Sequence, residues 1–167
     1  MQRARKALAA VKSSPAAIAD FYEAVCRDIV ENVGATRASV WSFSTLKDAI
    51  TSDCLYDSRD GSVSRGVTLK EEDFGAYFHA IRTDLRIVAP DALTHPATAC
   101  FDEIYFTPLD IRSLLDYVVL VRDEPAMVLC CEHSAEEKPW SDADMEYLHQ
   151  MAAVLAMAQK AAQRLAA

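Results

Sequence analysis

The sequence predicts an α+β domain built on a central antiparallel sheet, and three features of the chain carry this prediction. Two apolar runs, residues 114–121 and 126–131, are separated by a polar connector that ends in Pro125, which is the pattern of a β-hairpin. Both runs are apolar at alternate positions on both faces, so the hairpin is expected to be covered on both sides. Amphipathic segments near each end of the chain predict helices that pack on one of these faces.

The elements before the hairpin follow from local patterns. Residues 1–13 carry four basic and no acidic side chains, and we expect a linker or a helix extension there. Ser14 and Pro15 suit the N-cap and the first turn of a helix that ends at Gly34. Apolar runs bounded by turn residues predict strands over 38–43, 49–56, 66–69 and 86–89, with a helix over 71–82 between the last two.

A long connection between Pro90 and Asp110 precedes the hairpin. It is rich in Pro, Asp, Thr and His, and only residues 97–105 are predicted to form a short helix within it. Long ordered connections in compact domains are typically functional, so we interpret this segment as a cover over one face of the sheet.

The last helix is predicted to start after Ser141, its N-cap, and to run to the C-terminus. It carries a heptad row of apolar residues with a second apolar row beside it, and the heptad row consists of Leu148, Met151, Leu155, Ala158, Ala162 and Leu165. Because two rows need two partners, we expect a homodimer through the terminal helices, with residues 158–167 as a signalling-helix extension.

Length, charge and cysteine content limit the class of protein. The 167 residues fit one domain, over residues 14–167, and a formal net charge of −8 argues against a nucleic-acid partner. The apolar run 151–158 is much shorter than the roughly 20 residues of a membrane-spanning helix. Five cysteines without a secretion signal indicate reduced thiols. We therefore expect a cytoplasmic protein without a membrane partner.

Catalytic and metal sites are not predicted. Cys130 and Cys131 are adjacent on a strand and point to opposite faces, so they cannot readily bind one metal. The other candidate ligands, His95, Cys100, Glu132 and His133, lack the spacing of a metal site. The sequence contains no recognisable set of nucleophile, base and oxyanion donors and no phosphate-binding glycine loop.

A ligand pocket is predicted between the cover and the sheet. Its candidate residues are aromatic or polar: Trp41, Phe43, Phe74, Tyr77, Phe78, Asp91, His95, Phe101, Tyr105, Asp116, Tyr117 and His133. Asp116 stands out because a carboxylate among apolar neighbours needs a partner. We expect an Arg, a backbone amide or a His from the cover to provide it.

Several stretches together resemble the GAF domain family. They are ASVWSF at 38–43, DFGAYF at 73–78, IVAPDA at 87–92 with HPAT at 95–98, PLDIRSLLD at 108–116, VLCCEH at 128–133 and Trp140-Ser141. The similarity covers about residues 14–157. It implies a PAS-related fold, with terminal helices on one face of the sheet and a helix and loop cover on the other.

The resemblance also implies a function. GAF domains are mostly small-molecule-sensing regulatory modules beside a histidine kinase or diguanylate cyclase, and they bind cyclic nucleotides, tetrapyrroles, haem or small acids. The ligand and any cofactor of this chain stay unidentified. Asp123-Glu124-Pro125 and Met127 replace glycines common in relatives, and Met127 is expected to narrow the pocket. No Cys-His dipeptide of the kind that often attaches a bilin is present.

Two alternatives remain open. A GAF-type free methionine-(R)-sulfoxide reductase would need two converging thiols, for which Cys100 and Cys131 are the candidates. A structural dimerisation module would instead have a cavity filled with side chains.

Overall fold

A seven-stranded antiparallel sheet organises the fold in the computed structural model, which describes residues 1–166. The strands are β1 (Arg37–Phe43), β2 (Ala49–Asp57), β3 (Val63–Ser64), β4 (Thr68–Lys70), β5 (Arg86–Ala89), β6 (Ile111–Val121) and β7 (Glu124–Ser134). Their order across the sheet is β3-β2-β1-β7-β6-β5, and β4 pairs with the other end of β2. The hairpin β6–β7 therefore lies inside the sheet, as predicted.

The turn of this hairpin is tighter than the four-residue connector expected from the sequence. Only Arg122 and Asp123 lie between the strands, and both have positive φ angles, 58° and 65°. Two consecutive residues of this kind form a type I′ turn, whose twist matches that of the flanking strands. Pro125 is already part of β7, where it lies opposite Leu120 at an irregularity in the pairing. The two strands are consequently longer than the apolar runs suggested.

Three helices cover one face of the sheet: α1 (Gln2–Val11), α2 (Ile18–Val33) and α5 (Asp142–Ala166). The basic N-terminal stretch, expected to be a linker or helix extension, forms α1, and its Ala4, Leu8 and Val11 side chains are buried. Ser141 and Asp144 cap the start of α5 reciprocally, since the backbone N–H of each bonds the other's side chain.

The start of α2 differs from the prediction. Ser14 is not its N-cap: a short 3-10 turn, Pro15–Ala17, comes first, and the Ala17 N–H bonds the Ser14 carbonyl at 3.1 Å. The helix proper begins at Ile18. Its end is as predicted, because Gly34 adopts a left-handed conformation with φ of 69° and donates its N–H to the Val30 carbonyl.

The opposite face carries α3 (Gly75–Thr83) and the cover. Helix α3 starts four residues later than predicted, because residues 71–74 form a turn that leads out of β4. Within the cover, a 3-10 turn (Ala99–Phe101), a π-helical turn (Asp102–Phe106) and the short α4 (Thr107–Leu109) follow one another. In place of the single helix predicted over 97–105, the structure has the 3-10 turn and the π-helical turn, and α4 follows beyond the predicted range.

The two faces of the sheet have separate cores. Leu115, Val119 and Cys131 pack with the three-helix layer, whereas Leu114, Val118 and Cys130 pack with α3 and the cover. This alternation confirms that the hairpin is buried on both sides and that the adjacent cysteines point apart. Within residues 1–166, no helix combines the length and apolarity that a bilayer-spanning segment needs.

Asp28 on α2 joins the first helix to this layer. Its side chain is buried, its Oδ2 accepts the backbone N–H of Ala4 at 3.0 Å, and its Oδ1 accepts a bond from Arg3 at 3.3 Å. The carboxylate thus satisfies a free N–H in the first turn of α1.

We expect Asp28→Asn to lower the free energy of unfolding by about 1–3 kcal/mol, because an amide replaces a carboxylate that bonds a helix N-terminus and an arginine. Urea unfolding followed by circular dichroism measures the change. Glu31→Gln is the matched control, since Glu31 is an exposed partner of Arg3 and its loss should cost under about 0.5 kcal/mol. Equal effects of the two substitutions would contradict this role of Asp28.

Candidate ligand-binding site

A cavity of about 160 Å³ lies between the sheet and the cover. Its floor is formed by alternate residues of β1, β6 and β7, and α3, the cover and the β3–β4 region form its walls. The lining side chains are mainly apolar or aromatic: Trp41, Val67, Leu69, Phe74, Tyr77, Phe101, Ile104, Tyr105, Phe106, Leu114, Asp116, Cys130 and Glu132. This is the composition expected of a small-molecule site, an apolar space with a few polar groups.

Strand register explains why the polar groups of the floor meet. Asp116 lies opposite Cys130, and Cys130 lies opposite Ser39, so these three side chains form one row across β6, β7 and β1. Arg37 and Glu132 occupy the same face in the neighbouring row. Residues directly opposite in antiparallel strands share a face, so the register alone gathers these groups.

Asp116 is fully buried in the cavity floor. The Tyr77 hydroxyl donates a hydrogen bond of 2.6 Å to its Oδ2, while its Oδ1 has no partner among residues 1–166. Burial raises the pKa of this carboxyl to about 7, and hydrogen bonding by the Cys130 thiol and the Tyr77 hydroxyl lowers the pKa by a smaller amount. The expected partner, an Arg, a backbone amide or a His from the cover, was wrong, because α3 presents its tyrosine directly above this position.

Glu132 is the second carboxyl of the cavity, and the pocket prediction did not include it. The Tyr105 hydroxyl of the cover bonds its Oε1 at 2.9 Å, and Arg37 Nη1 lies 3.3 Å from its Oε2. Arg37 forms a second ion pair, with Asp57, because its Nε lies 3.3 Å from Asp57 Oδ2. Burial raises the pKa of Glu132, and the Arg37 charge opposes this rise. The sequence does carry a sign that Glu132 belongs to the pocket, because alternation along β7 places it on the same face as Cys130.

Six of the twelve predicted pocket residues line this cavity, namely Trp41, Phe74, Tyr77, Phe101, Tyr105 and Asp116. Phe78 lies beside it but is enclosed in the core, with its ring edge-on to Tyr77. Phe43 is partly buried near the end of β1, beneath Lys47.

Four other predicted residues lie away from the cavity. Asp91 and His95 accept backbone N–H bonds inside the cover, from Leu93 and Ala97, and so shape its turns. Tyr117 and His133 follow Asp116 and Glu132 directly along their strands and therefore point to the opposite face.

Two exposed apolar side chains stand at the mouth of the cavity. Val67, before β4, is 49% exposed, and Ile104, in the π-helical turn, is 65% exposed, although both line the cavity. The π-helical turn itself is of a rare type that occurs frequently at functional sites.

Cys100 and Cys131, the candidate thiols of a sulfoxide reductase, do not converge. Cys131 is buried on the helix side of the sheet, whereas Cys100 is exposed on the cover at the other side. Cys130 alone among the cysteines lines the cavity, and burial raises the pKa of its thiol well above the ordinary value. Across the described residues, no three His, Cys, Asp or Glu side chains assemble as metal ligands.

The buried carboxyl of Asp116 predicts a characteristic pH dependence. Its pKa of about 7 in the folded chain exceeds the value of about 3.9 expected when unfolded. The folded state therefore holds this proton more tightly, and the resulting stability is full below pH 4 and lost as the pH rises to 7. For Asp116→Asn, we expect the stability relative to wild type to increase over this range, by up to about 4 kcal/mol.

Urea unfolding at a series of pH values measures this difference. Asp91→Asn is the matched control, because Asp91 has a lowered pKa and should produce no such trend between pH 5 and 7. Parallel pH profiles of wild type and Asp116→Asn would show the prediction to be wrong.

The fold is shared with several solved structures. The phycoerythrobilin-bound GAF domain from a cyanobacterial phytochrome matches with a TM-score of 0.80 and 16% identity, over 99% of this chain and 97% of that one. A methyl-accepting chemotaxis protein matches with a TM-score of 0.73 and 14% identity, over 95% and 98%. The GAF domain of an Acinetobacter phosphoenolpyruvate-protein phosphotransferase matches with a TM-score of 0.68 and 14% identity, over 99% and 95%.

These likenesses confirm the expected fold, an antiparallel sheet with terminal helices on one face and a cover on the other. No curated protein sequence matches the chain. The model of the GAF domain family matches residues 18–159, which include the whole sheet, α3, the cover and most of α5. The chain therefore belongs to the GAF domain family.

Proposed function

We propose that this GAF domain is a small-molecule sensor in signal transduction, in which ligand occupancy under the cover changes the arrangement of the terminal helices. One observation carries the proposal: the cavity contains a fully buried carboxyl with one oxygen left without a partner among residues 1–166. A buried polar atom without a hydrogen bond is unfavourable, so a ligand that supplies one gains binding energy.

The space in the cavity favours a sensor over the purely structural alternative. A structural dimerisation module would fill this region with side chains, as the helix-side core does. Here aromatic rings surround a space that reaches the surface between Val67 and Ile104. Cavities of this kind are rare in well-packed cores, where few voids exceed a water molecule.

A bound bilin, as in the phytochrome neighbour, does not suit this cavity. Its volume of about 160 Å³ is below the 300–1,000 Å³ range typical of sites for drug-sized ligands. The one cysteine in its lining, Cys130, has a raised thiol pKa and is therefore a poor nucleophile for attachment at neutral pH. We accordingly favour a ligand smaller than a tetrapyrrole.

Strand β6 offers a direct route from the cavity to the helices. Asp116 faces the cavity, and the next residue, Tyr117, faces α5, where its hydroxyl lies 2.9 Å from His149 Nδ1. A shift of β6 that improves the contact with a ligand would also move the Tyr117–His149 pair. A ligand that binds one position of this strand better would thus bias the position of α5.

The proposed partners are a second copy of the chain and an output domain, in the same or another chain. The proposed output domain is a histidine kinase or a diguanylate cyclase, as the family resemblance implies. The proposed location is the cytoplasm, where the thiols of the five cysteines would stay reduced.

The second copy would bind along the end of α5. The inner heptad residues from Leu148 to Ala158 are buried within the domain itself, which leaves the neighbouring row for a partner. Met157 on the neighbouring row is 48% exposed, and Leu165, the last residue of the heptad row, is 49% exposed. Ala161 lies between them at helical spacing. The signalling-helix extension predicted over residues 158–167 includes Ala167, which lies outside the described residues.

A thermal-shift screen tests the sensor. Small aromatic heterocycles, small acids, cyclic nucleotides and haem are added to wild type, and at least one class should raise the melting temperature by several degrees. Leu114→Phe narrows the cavity and should abolish that shift, whereas Leu46→Phe, the same change at an exposed position, should not. If no class stabilises wild type, the sensor proposal fails.

The same ligand tests transmission to α5. Hydrogen exchange should show altered protection of α5 on binding, and Tyr117→Phe should reduce that response while ligand affinity stays unchanged, because Tyr117 lies outside the cavity. An unchanged response in Tyr117→Phe would contradict the proposed route.

The dimer has its own test. We expect sedimentation velocity to show a dimer for wild type and a monomer for Met157→Glu, because a charge on the exposed apolar row must be desolvated in the interface. Gln163→Glu, on an exposed part of the same helix, is the control for added charge and should remain dimeric. A wild-type monomer at high concentration would contradict the dimer.

A further inference from the structure

We propose that the cavity selects a flat ligand of one ring or two small fused rings that donates an N–H hydrogen bond to Oδ1 of Asp116. The inference rests on the proposed sensor function, and it names the chemical class of the ligand. Volume, wall composition and the inventory of free hydrogen-bonding atoms each support it.

The volume sets the size of the ligand. At about 160 Å³, the cavity is close to the apolar cavity of about 150 Å³ that is known to accept benzene in another protein. One ring, or two small fused rings, therefore fills it, whereas a nucleotide or a tetrapyrrole would need the cover to move away.

The walls set the shape of the ligand. Phe74 and Phe101 stack at 4.6 Å between ring centroids, and Tyr77 meets Phe101 edge-on at 5.1 Å. Phe106 continues this group, with its centroid 5.7 Å from that of Phe101. Aromatic walls in stacked and edge-on orientations provide faces and edges that favour another planar ring.

The free polar atoms set the polarity of the ligand. Three lining side chains have N–H or O–H donors that are already engaged within the protein: Trp41 Nε1 bonds Ser39 at 2.7 Å, and Tyr77 and Tyr105 bond the two carboxyls. Among the lining side chains, the remaining strong hydrogen-bonding atom without a partner is Oδ1 of Asp116, beside which the Cys130 thiol is only a weak donor. When the Asp116 carboxyl is ionised, Oδ1 is an acceptor, and a ligand must then bring a donor.

The charges of the cavity point the same way. Among the lining residues that the structure describes, two are carboxyls and none is basic. Arg37, behind Glu132, is shared with Asp57, so its positive charge is already balanced. Anionic ligands such as small acids or phosphates are thus disfavoured, and a donor gains from the negative potential.

Matched pairs of compounds test the inference by isothermal titration calorimetry. Indole and benzimidazole supply the N–H donor, and benzofuran has the shape of indole without that donor. Benzoate instead carries a negatively charged carboxylate, which only accepts hydrogen bonds. We expect indole to bind wild type about tenfold more tightly than benzofuran, as a hydrogen bond to a carboxylate would provide, and benzoate not to bind.

Asp116→Asn should reduce the preference for indole over benzofuran to below about threefold. Asp28→Asn, which changes a buried aspartate outside the cavity, should leave the preference intact. Circular dichroism confirms that each variant folds.

If Asp116→Asn does not fold, wild type alone gives a second test. Indole affinity should rise from pH 6 to pH 8 as Asp116 ionises, while benzofuran affinity should not. Tyr77, Cys130 and Glu132 are the titratable groups that face Asp116, and the raised pKa values of the tyrosine and the thiol keep both neutral in this range.

The outcomes separate this inference from the sensor proposal. Equal binding of indole and benzofuran, or tighter binding of benzoate, would overturn the donor selectivity and leave a ligand-binding cavity in place. An absence of binding by all of these compounds, together with a negative thermal-shift screen, would overturn both.

Discussion

The two-sided burial of the hairpin β6–β7 is the constraint on which the rest of this structure depends. Because successive side chains of a strand point to opposite faces, each adjacent pair on the hairpin is divided between the cavity and the helix layer. Asp116 and Tyr117 are divided in this way, as are Cys130 and Cys131. The proposed ligand contact and the proposed contact with α5 are thus adjacent in sequence but lie on opposite faces of the sheet.

Two carboxyls in an apolar cavity are expensive to bury, and the fold compensates them unequally. Glu132 accepts a hydrogen bond from the Tyr105 hydroxyl and forms an ion pair with Arg37, so it contacts both the cover and the sheet. Asp116 receives one bond from Tyr77 and keeps one oxygen without a partner among the described residues. This inequality distinguishes a structural ion pair from a group that is available to a ligand.

The sequence was sufficient for the parts of the fold that depend on periodicity. The central hairpin, the helix ended by Gly34, the capped start of α5 and the cover were all predicted from local patterns. The two-residue strand β3 was not, because two residues cannot show a period. Ser14 was assigned as a cap since its residue type fits, whereas a 3-10 turn after it was not visible in the pattern.

The candidate site was predicted by residue type more than by geometry, and its errors follow from this. Tyr117 and His133 were chosen because they are polar residues on apolar strands. Alternation places them on the face of the sheet away from the cavity, since Asp116 and Glu132, which precede them directly, face the cavity. Applying the alternation strictly would have selected Glu132. The Tyr77–Asp116 bond depends on how α3 packs over the sheet, which no local pattern contains.

The mouth between Val67 and Ile104 has a consequence for the kinetics of binding. The carboxyl proposed to bind the ligand, Asp116, lies on the sheet, whereas Ile104 belongs to a short turn of the cover. A ligand can leave when this turn moves, without any strand separating from its neighbour. In the proposed sensor, a change in this turn would therefore alter the residence time of the ligand, and so the rate of resetting, while the hydrogen bond to Asp116 stays the same.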